Sequence, residues 1–248
     1  MLLQGKTVII TGSNRGIGYA MVEAFASEGA NIWAHARKET SEFIESMKNV
    51  EQRYGIKVVP VYFDVCDDEL AKNTLKKIYK DAGKIDILVN NAGVMQDALI
   101  GMISRQMMRD LFDTNVLSVI NLTQIVVRFM KRQKQGCIIN LASIIGTNGN
   151  AGQSVYSATK GAIISFTKSA AKELAPQGIR VNAISPGIVN TQLIKNVPAN
   201  LMKEKLQNIR LGRICEPREI AETAVFLASD MASYVTGQII GVDGCTIL

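Results

Sequence analysis

Histidine occurs once, at His35, and cysteine four times, at Cys66, Cys137, Cys215 and Cys245. No two cysteines form a C-x-x-C pair and no cluster of histidines or carboxylates accompanies them, so no metal site is expected. Isolated in this way, the cysteines read as small buried apolar residues. Lys and Arg number 28 against 22 Asp and Glu, a net charge of +6, yet no block of five or six basic residues occurs. That dispersal argues against a nucleic-acid partner and suits phosphorylated small molecules or an acidic partner. Apolar runs long enough to span a bilayer are missing too, so no membrane segment is expected. Met1-Leu2-Leu3-Gln4-Gly5-Lys6 leads straight towards a strand without the apolar centre of a signal peptide, and a reducing, cytoplasmic setting is the expectation. No Pro/Gly/Ser-rich linker, repeat or low-complexity stretch divides residues 1–248, which are read as a single domain.

What the chain does have is alternation. Strand-like segments at Val8–Ile10, Ala30–Ala34, Lys57–Phe63, Ile85–Val89, Cys137–Leu141, Ile179–Ile184 and Gln238–Val242 are separated by helical patterns. The helical patterns cover Ile17–Ser27, Ser41–Tyr54, Asp68–Lys80, Ser104–Arg132, Val155–Leu174 and Pro217–Ala228. Several strands are apolar throughout rather than alternating, as when helices cover both faces of a parallel sheet. The expected fold is α/β, a doubly wound parallel sheet of about seven strands, of Rossmann type.

Between the first strand and the first helix lies Thr11-Gly12-Ser13-Asn14-Arg15-Gly16-Ile17-Gly18. Glycines permit a tight turn and close approach of backbone to a pyrophosphate, and the helix start offers free N–H groups and a positive dipole end. The spacing is G-x-x-x-G-x-G rather than G-x-G-x-x-G. After the second strand an acidic residue would bond the ribose 2′-hydroxyl of NAD and repel a 2′-phosphate. Here Ala34-His35-Ala36-Arg37-Lys38 has no carboxylate before Glu39. NADP(H) is therefore expected, with Arg37 and Arg15 on the 2′-phosphate, since the guanidinium fork suits phosphate.

Further along, Asn90-Asn91-Ala92-Gly93 closes the fourth strand, Asn115 falls in a helix, and Ser143 follows the fifth strand. Tyr156 and Lys160 stand four apart and share a helix face. A neighbouring ammonium favours phenolate and is expected to lower a tyrosine from its ordinary pKa of about 10.

With T-G-x-x-x-G-x-G, Asp64-Val65, N-N-A-G, Asn115, Ser143, Y-x-x-x-K and Pro186-Gly187 in this order, the chain resembles the short-chain dehydrogenase/reductase family over nearly its whole length. The resemblance implies an oxidoreductase of carbonyls and alcohols with Asn115, Ser143, Tyr156 and Lys160 as catalytic residues. Tyr156 would be the proton donor in reduction, Lys160 its activator and a holder of the nicotinamide ribose, Ser143 a hydrogen-bonding support for the substrate oxygen, and Asn115 the support of a water chain to Lys160. It also implies cofactor contacts at Gly12 to Gly18 (Gly12, Ser13, Asn14, Arg15, Gly16, Ile17, Gly18), at Arg37, at Asp64 and Val65 beside the adenine, and at Asn91, Ala92 and Gly93 beside the adenosine ribose. Pro186, Gly187, Ile188 and Thr191 would flank the nicotinamide.

Within the family the chain is similar to the bacterial reductases of 3-oxoacyl groups on acyl carrier protein, through Gly146 to Gln153, Arg210-Leu211-Gly212-Arg213 and Phe226-Leu227-Ala228-Ser229-Asp230. That likeness implies fatty-acid synthesis, a homotetramer, and docking of an acidic carrier beside the cleft at Lys134 and Lys172. Another ketone or secondary alcohol, of a sugar, polyketide or xenobiotic, is the alternative substrate. Two departures stand out. Cys245 replaces a customary glycine, and Asn190 to Asn208, the expected substrate lid, has a composition of its own.

Overall fold

The computed structural model describes residues 1–194, 202 and 206–247. Seven strands, β1 (Thr7–Ile10), β2 (Asn31–Ala36), β3 (Val58–Tyr62), β4 (Ile87–Asn90), β5 (Gly136–Leu141), β6 (Ile179–Pro186) and β7 (Ile239–Val242), pair in parallel in the order β3-β2-β1-β4-β5-β6-β7. The helices are α1 (Gly16–Ser27), α2 (Ser41–Tyr54), α3 (Asp68–Ala82), α4 (Arg105–Phe112), α5 (Ser118–Gln133), the single turn α6 (Ile145–Asn148), α7 (Ser154–Leu174) and α8 (Pro217–Ala228). This is the doubly wound Rossmann-type sheet anticipated from the alternation.

Successive strand residues face opposite layers, which explains why the strands are apolar throughout. Val8, Ile10, Ile32 and Ala34 pack under α1, α2 and α8 with Met21, Phe25, Met47 and Ala224. Ile9, Trp33, Leu88 and Ile138 pack under α3, α5 and α7 with Leu75, Leu122, Val126 and Ala171. Pro60 pairs opposite Ala34 within β3 and is tolerated because β3 is an edge strand, where a missing N–H leaves no central ladder bond unmade.

Local signals set the helix ends. Thr40, Asp67 and Ser104 cap α2, α3 and α4 by accepting from Phe43, Leu70 and Met107 N–H. Glu216 and Glu219 form a reciprocal capping box ahead of α8. The single helix expected over Ser104–Arg132 is instead α4 and α5 joined by a π-helical turn, Asp113–Leu117. The buried apolar side chains step from Leu111 to Val116, five residues rather than four, and the wider turn accommodates that step. Asn115 lies in this turn, buried.

From β1 the chain winds outward to β2 and β3, then returns to place β4 on the other side of β1. The crevice beyond the carboxyl ends of β1 and β4 is the topological switch point, where such sheets bind ligands.

Candidate active site

The glycine turn and the N-N-A-G segment leave adjacent strands at that switch point and are stitched together. Thr11 Oγ1 accepts from the N–H groups of both Asn91 and Ala92 at 3.0 Å. Asn91 Nδ2 donates to the carbonyls of Thr11 at 2.8 Å and Gly12 at 3.0 Å. Gly12 and Gly16 have φ of +68° and +56°, and a Cβ on Gly12 would lie 3.0 Å from Ala92 Cα. A Cβ on Gly18 would collide with the Gly12 carbonyl oxygen. The turn can therefore close this tightly on α1 only with glycine.

His35, in β2, braces the turn from the other side. Gly12 N–H donates to its Nδ1 at 3.1 Å, so Nδ1 is unprotonated and Nε2–H donates to Phe63 O at 2.8 Å. The ring is buried, and desolvation holds its pKa below the ordinary 6.5. Ser13 has both donors committed, N–H to His35 O at 2.8 Å and Oγ–H to Ile10 O at 2.7 Å. Its place in the turn is that of a brace rather than a free donor.

A pyrophosphate fits what remains. Unlike α2, α3 and α4, helix α1 begins with no side-chain cap, and its first turn carries no acidic residue, leaving its N–H groups to an anion. Arg15 and Arg37 are exposed and make no ion pair among the described residues. Asp64 is exposed with Oδ1 accepting from Cys66 N–H at 3.0 Å, and Val65 is buried beside it. Thr191 lies over the turn, its Cγ2 3.4 Å from where a Gly16 Cβ would be.

At the ends of β4 and β5 the four expected catalytic side chains converge. Asn115 grips the backbone after N-N-A-G, its Nδ2 donating to Val94 O and its Oδ1 accepting from Val94 N–H, both at 2.8 Å. The same Nδ2 donates to Thr159 Oγ1 at 3.2 Å. A Cβ at Gly93 would meet Asn115 Oδ1 at 3.2 Å and Lys160 Nζ at 3.8 Å, so this glycine keeps the space between them open. Gly146 of α6 packs against the backbone of Lys160 and Gly161 in α7, and Ser157 Oγ–H donates to Ile145 O at 2.8 Å. That contact sets Ser143, just before α6, beside Tyr156, close enough for its hydroxyl to act on the phenol.

Electrostatics here depart from the expectation that Lys160 lowers Tyr156. Burial comes first and raises the Tyr156 pKa from its ordinary 10.0, the nearby Ser143 hydroxyl opposes it, and Asp97 adds to the rise. The Lys160 ammonium lies 5.7 Å from the phenol ring centroid and donates to Leu141 O at 2.7 Å. Buried without a carboxylate, Lys160 is itself depressed from 10.5 to about 8. The phenol is thus firmly protonated at neutral pH, the form a proton donor needs.

A polar clip borders the opening. Gln153 Nε2 donates to Asp97 Oδ1 at 3.0 Å, and Gln153 Oε1 accepts from Asn150 Nδ2 at 2.9 Å. Val94, Met95 and Leu99 are exposed on the same loop. Gly187 N–H donates to Val242 O at 3.0 Å, and Pro186 O accepts from Ile144 N–H at 3.1 Å, fixing the Pro186–Ile188 stretch beside Ser143.

A family profile described as enoyl-(acyl carrier protein) reductase matches residues 12–245. A 3-oxoacyl-[acyl-carrier-protein] reductase of Thermotoga maritima is 40% identical over 248 residues, all of both chains. The chain belongs to the short-chain dehydrogenase/reductase family. A like-named reductase of Chlamydia muridarum is 38% identical over 243 residues, 98% of each chain. A solved structure from Sinorhizobium meliloti, assigned to the short-chain alcohol dehydrogenases, superposes with a TM-score of 0.94 at 30% identity, covering 99% of this chain and 98% of that one. As a short-chain dehydrogenase/reductase, the chain is an oxidoreductase acting on CH–OH groups with a nicotinamide cofactor.

Two expectations need restating in this frame. Lys134 and Lys172 are exposed, but each lies at a helix C-terminus just before a strand begins, at the edge of the sheet opposite Ser143 and Tyr156. Sixteen residues of α7 separate Tyr156 from Lys172, about 24 Å of helix. Within one chain they are not beside the cleft. The expected lid, Asn190 to Asn208, lies largely outside the described residues. Residues the sequence reading passed over include Thr11, His35, Thr159 and Gln153. Thr159 stands next to Lys160 on the same helix, and Thr11 opens the glycine motif, so both carried a positional signal.

Proposed function

We propose that the chain reduces a 3-oxoacyl thioester, carried on an acyl carrier protein, to the 3-hydroxyacyl form, with NADPH as reductant. The observation that carries this reading is the meeting of the Ser143 and Tyr156 hydroxyls with a buried Lys160 at the carboxyl ends of the strands, the side that also bears the uncapped glycine turn. The full-length likeness to 3-oxoacyl-[acyl-carrier-protein] reductases supports the substrate, and exposed Val94, Met95 and Leu99 give an acyl chain an apolar wall.

When bound, NADPH supplies hydride to the carbonyl carbon. The α1 N–H groups would hold its pyrophosphate, Arg37 and Arg15 its 2′-phosphate, Asp64 and Val65 the adenine, Asn91 to Gly93 the adenosine ribose, and Pro186, Gly187, Ile188 and Thr191 the nicotinamide side. Lys160, buried with no carboxylate among the causes of its shift, would hold the nicotinamide ribose and keeps a positive charge beside the phenol. Ser143 donates to the ketone oxygen while Tyr156 gives that oxygen its proton, so charge developing there meets two fixed donors. Asn115 holds the Val94 backbone and Thr159, and with them the water path to Lys160.

An enoyl thioester, suggested by the family profile's description, has no oxygen on its hydride-accepting carbon for the paired hydroxyls to hold. A sugar, polyketide or xenobiotic ketone would use the same groups. NADPH consumption with acetoacetyl thioester, crotonyl thioester and a set of simple ketones separates the readings. Turnover of acetoacetyl thioester well above the others is expected; turnover of crotonyl thioester alone, or none, contradicts the proposal.

The assembly belongs to this reading. Leu99, Ile100, Met102, Met108, Phe112 and Leu117 are exposed along the α4–α5 side, and β7 leaves an unpaired strand edge. A homotetramer would cover these surfaces, and carrier docking at Lys134 and Lys172 would then have to serve the site of a neighbouring subunit.

A further inference from the structure

We propose that His35 is a positioning residue whose neutral ring holds the glycine turn in its pyrophosphate-binding shape, and that protonating this ring in mild acid releases the turn and weakens cofactor binding. The inference rests on dinucleotide binding at the glycine turn and is independent of which carbonyl is reduced.

Three strand ends meet on this imidazole. β1 delivers Gly12, whose N–H donates to Nδ1 at 3.1 Å. β2 carries the ring itself, two residues before Arg37, and the His35 carbonyl accepts from Ser13 N–H at 2.8 Å. β3 leads straight into Phe63, whose carbonyl accepts from Nε2 at 2.8 Å and whose ring lies 4.1 Å from the imidazole centroid. The ring therefore ties the phosphate turn to the segment carrying Arg37 and to the one carrying Asp64 and Val65. Each nitrogen has a single possible role. Nδ1 faces a donor and Nε2 faces an acceptor, so only the neutral Nε2–H form satisfies both.

Protonation would set an Nδ1–H against the Gly12 N–H on the face of a buried ring. One of the two donors must move, and Gly12, with its left-handed φ of +68°, is the flexible member. Displacing Gly12 carries the packing with Gly18 and Asn91 along with it. Asp64 is the charged group acting on the ring, and it opposes the desolvation that keeps the ring neutral. The glycine turn presents only backbone and the committed Ser13 hydroxyl to it, and Phe63 an uncharged ring. A bound pyrophosphate would pull in the opposite sense by attracting an imidazolium, so the sign of the pH effect decides between the two.

NADP+ and NAD+, both stable in acid, are titrated calorimetrically against the wild-type chain, His35→Asn and His35→Leu between pH 7.5 and pH 4.5. Asparagine can place Oδ1 near the Nδ1 position and accept from Gly12 without titrating. His35→Asn should keep near wild-type affinity at pH 7.5, whereas His35→Leu should lose about tenfold or more by leaving a buried donor unmet. Wild-type Kd should rise in acid by at least about fivefold more than that of His35→Asn, for both dinucleotides, because the 2′-phosphate titrates equally in each variant. Should the variants misfold, the single histidine can be followed by NMR in the wild-type chain. Its pKa should fall further when NADP+ saturates the site. A pKa raised or unmoved by NADP+, or parallel acid profiles for wild type and His35→Asn, would overturn the proposal. A chain that binds both dinucleotides but turns over no ketone would refute the reductase reading alone.

Discussion

Replacing Lys160 with methionine should stabilise the cofactor-free chain while removing its chemistry. The ammonium is buried with no carboxylate near it, and its pKa is depressed from 10.5 to about 8. At about 1.4 kcal/mol per pH unit of displacement, holding this charge inside costs the fold about 3 kcal/mol. Its hydrogen bond to Leu141 O returns about 1.5 kcal/mol, which methionine forfeits. A net gain of about 1.5 kcal/mol corresponds to a Tm higher by roughly 3–6 °C for a chain of this size. The sign with pH follows from a folded pKa below the unfolded one. The penalty is complete below pH 8, shrinks as pH rises, and vanishes above the unfolded value of 10.5. Thermal melts of both proteins without cofactor, at pH 7 and pH 9.5, should show the advantage of Lys160→Met falling close to zero, since about 2 kcal/mol of the penalty is gone at pH 9.5. An unchanged or lower Tm at pH 7, or an advantage indifferent to pH, would refute the account of a desolvated ammonium.

Arg37→Ala should raise the KM for NADPH about tenfold or more and leave that for NADH nearly unchanged, since only the 2′-phosphate loses its charged partner; steady-state titration of each cofactor checks this. Cys245 adopts a left-handed φ of +57°, where a side chain costs about 1 kcal/mol, so Cys245→Gly should raise the denaturation midpoint modestly in urea. Charge reversal at both Lys134 and Lys172 should raise KM for carrier-bound substrate but not for a simple ketone; equal effects on both substrates would remove carrier docking.

The sheet and its order of elements were legible because apolar strands and amphipathic helices alternate without interruption, and because glycine, asparagine and Y-x-x-x-K motifs fall at strand ends. Less visible was anything that depends on direction or on the third dimension. The π turn around Asn115 hides inside a continuous helical pattern, marked among the apolar positions by the five-residue step from Leu111 to Val116. The placement of Lys134 and Lys172 on the far edge follows from strand direction, which motif likeness does not encode. His35 carried no motif at all; its meaning comes from two neighbours, Gly12 and Phe63, on different strands. Spacing put Tyr156 and Lys160 on one face, but the direction of the ammonium, towards Leu141 O rather than the phenol oxygen, is set by packing of α7 on β5.

Most directly at issue is whether Tyr156 delivers the proton. Turnover of acetoacetyl thioester and NADPH affinity should be measured side by side in the wild-type chain and in Tyr156→Phe. Loss of nearly all turnover with NADPH affinity within a factor of about three is the expected result. A phenylalanine variant that keeps most of its turnover would contradict the assignment, whatever its affinity.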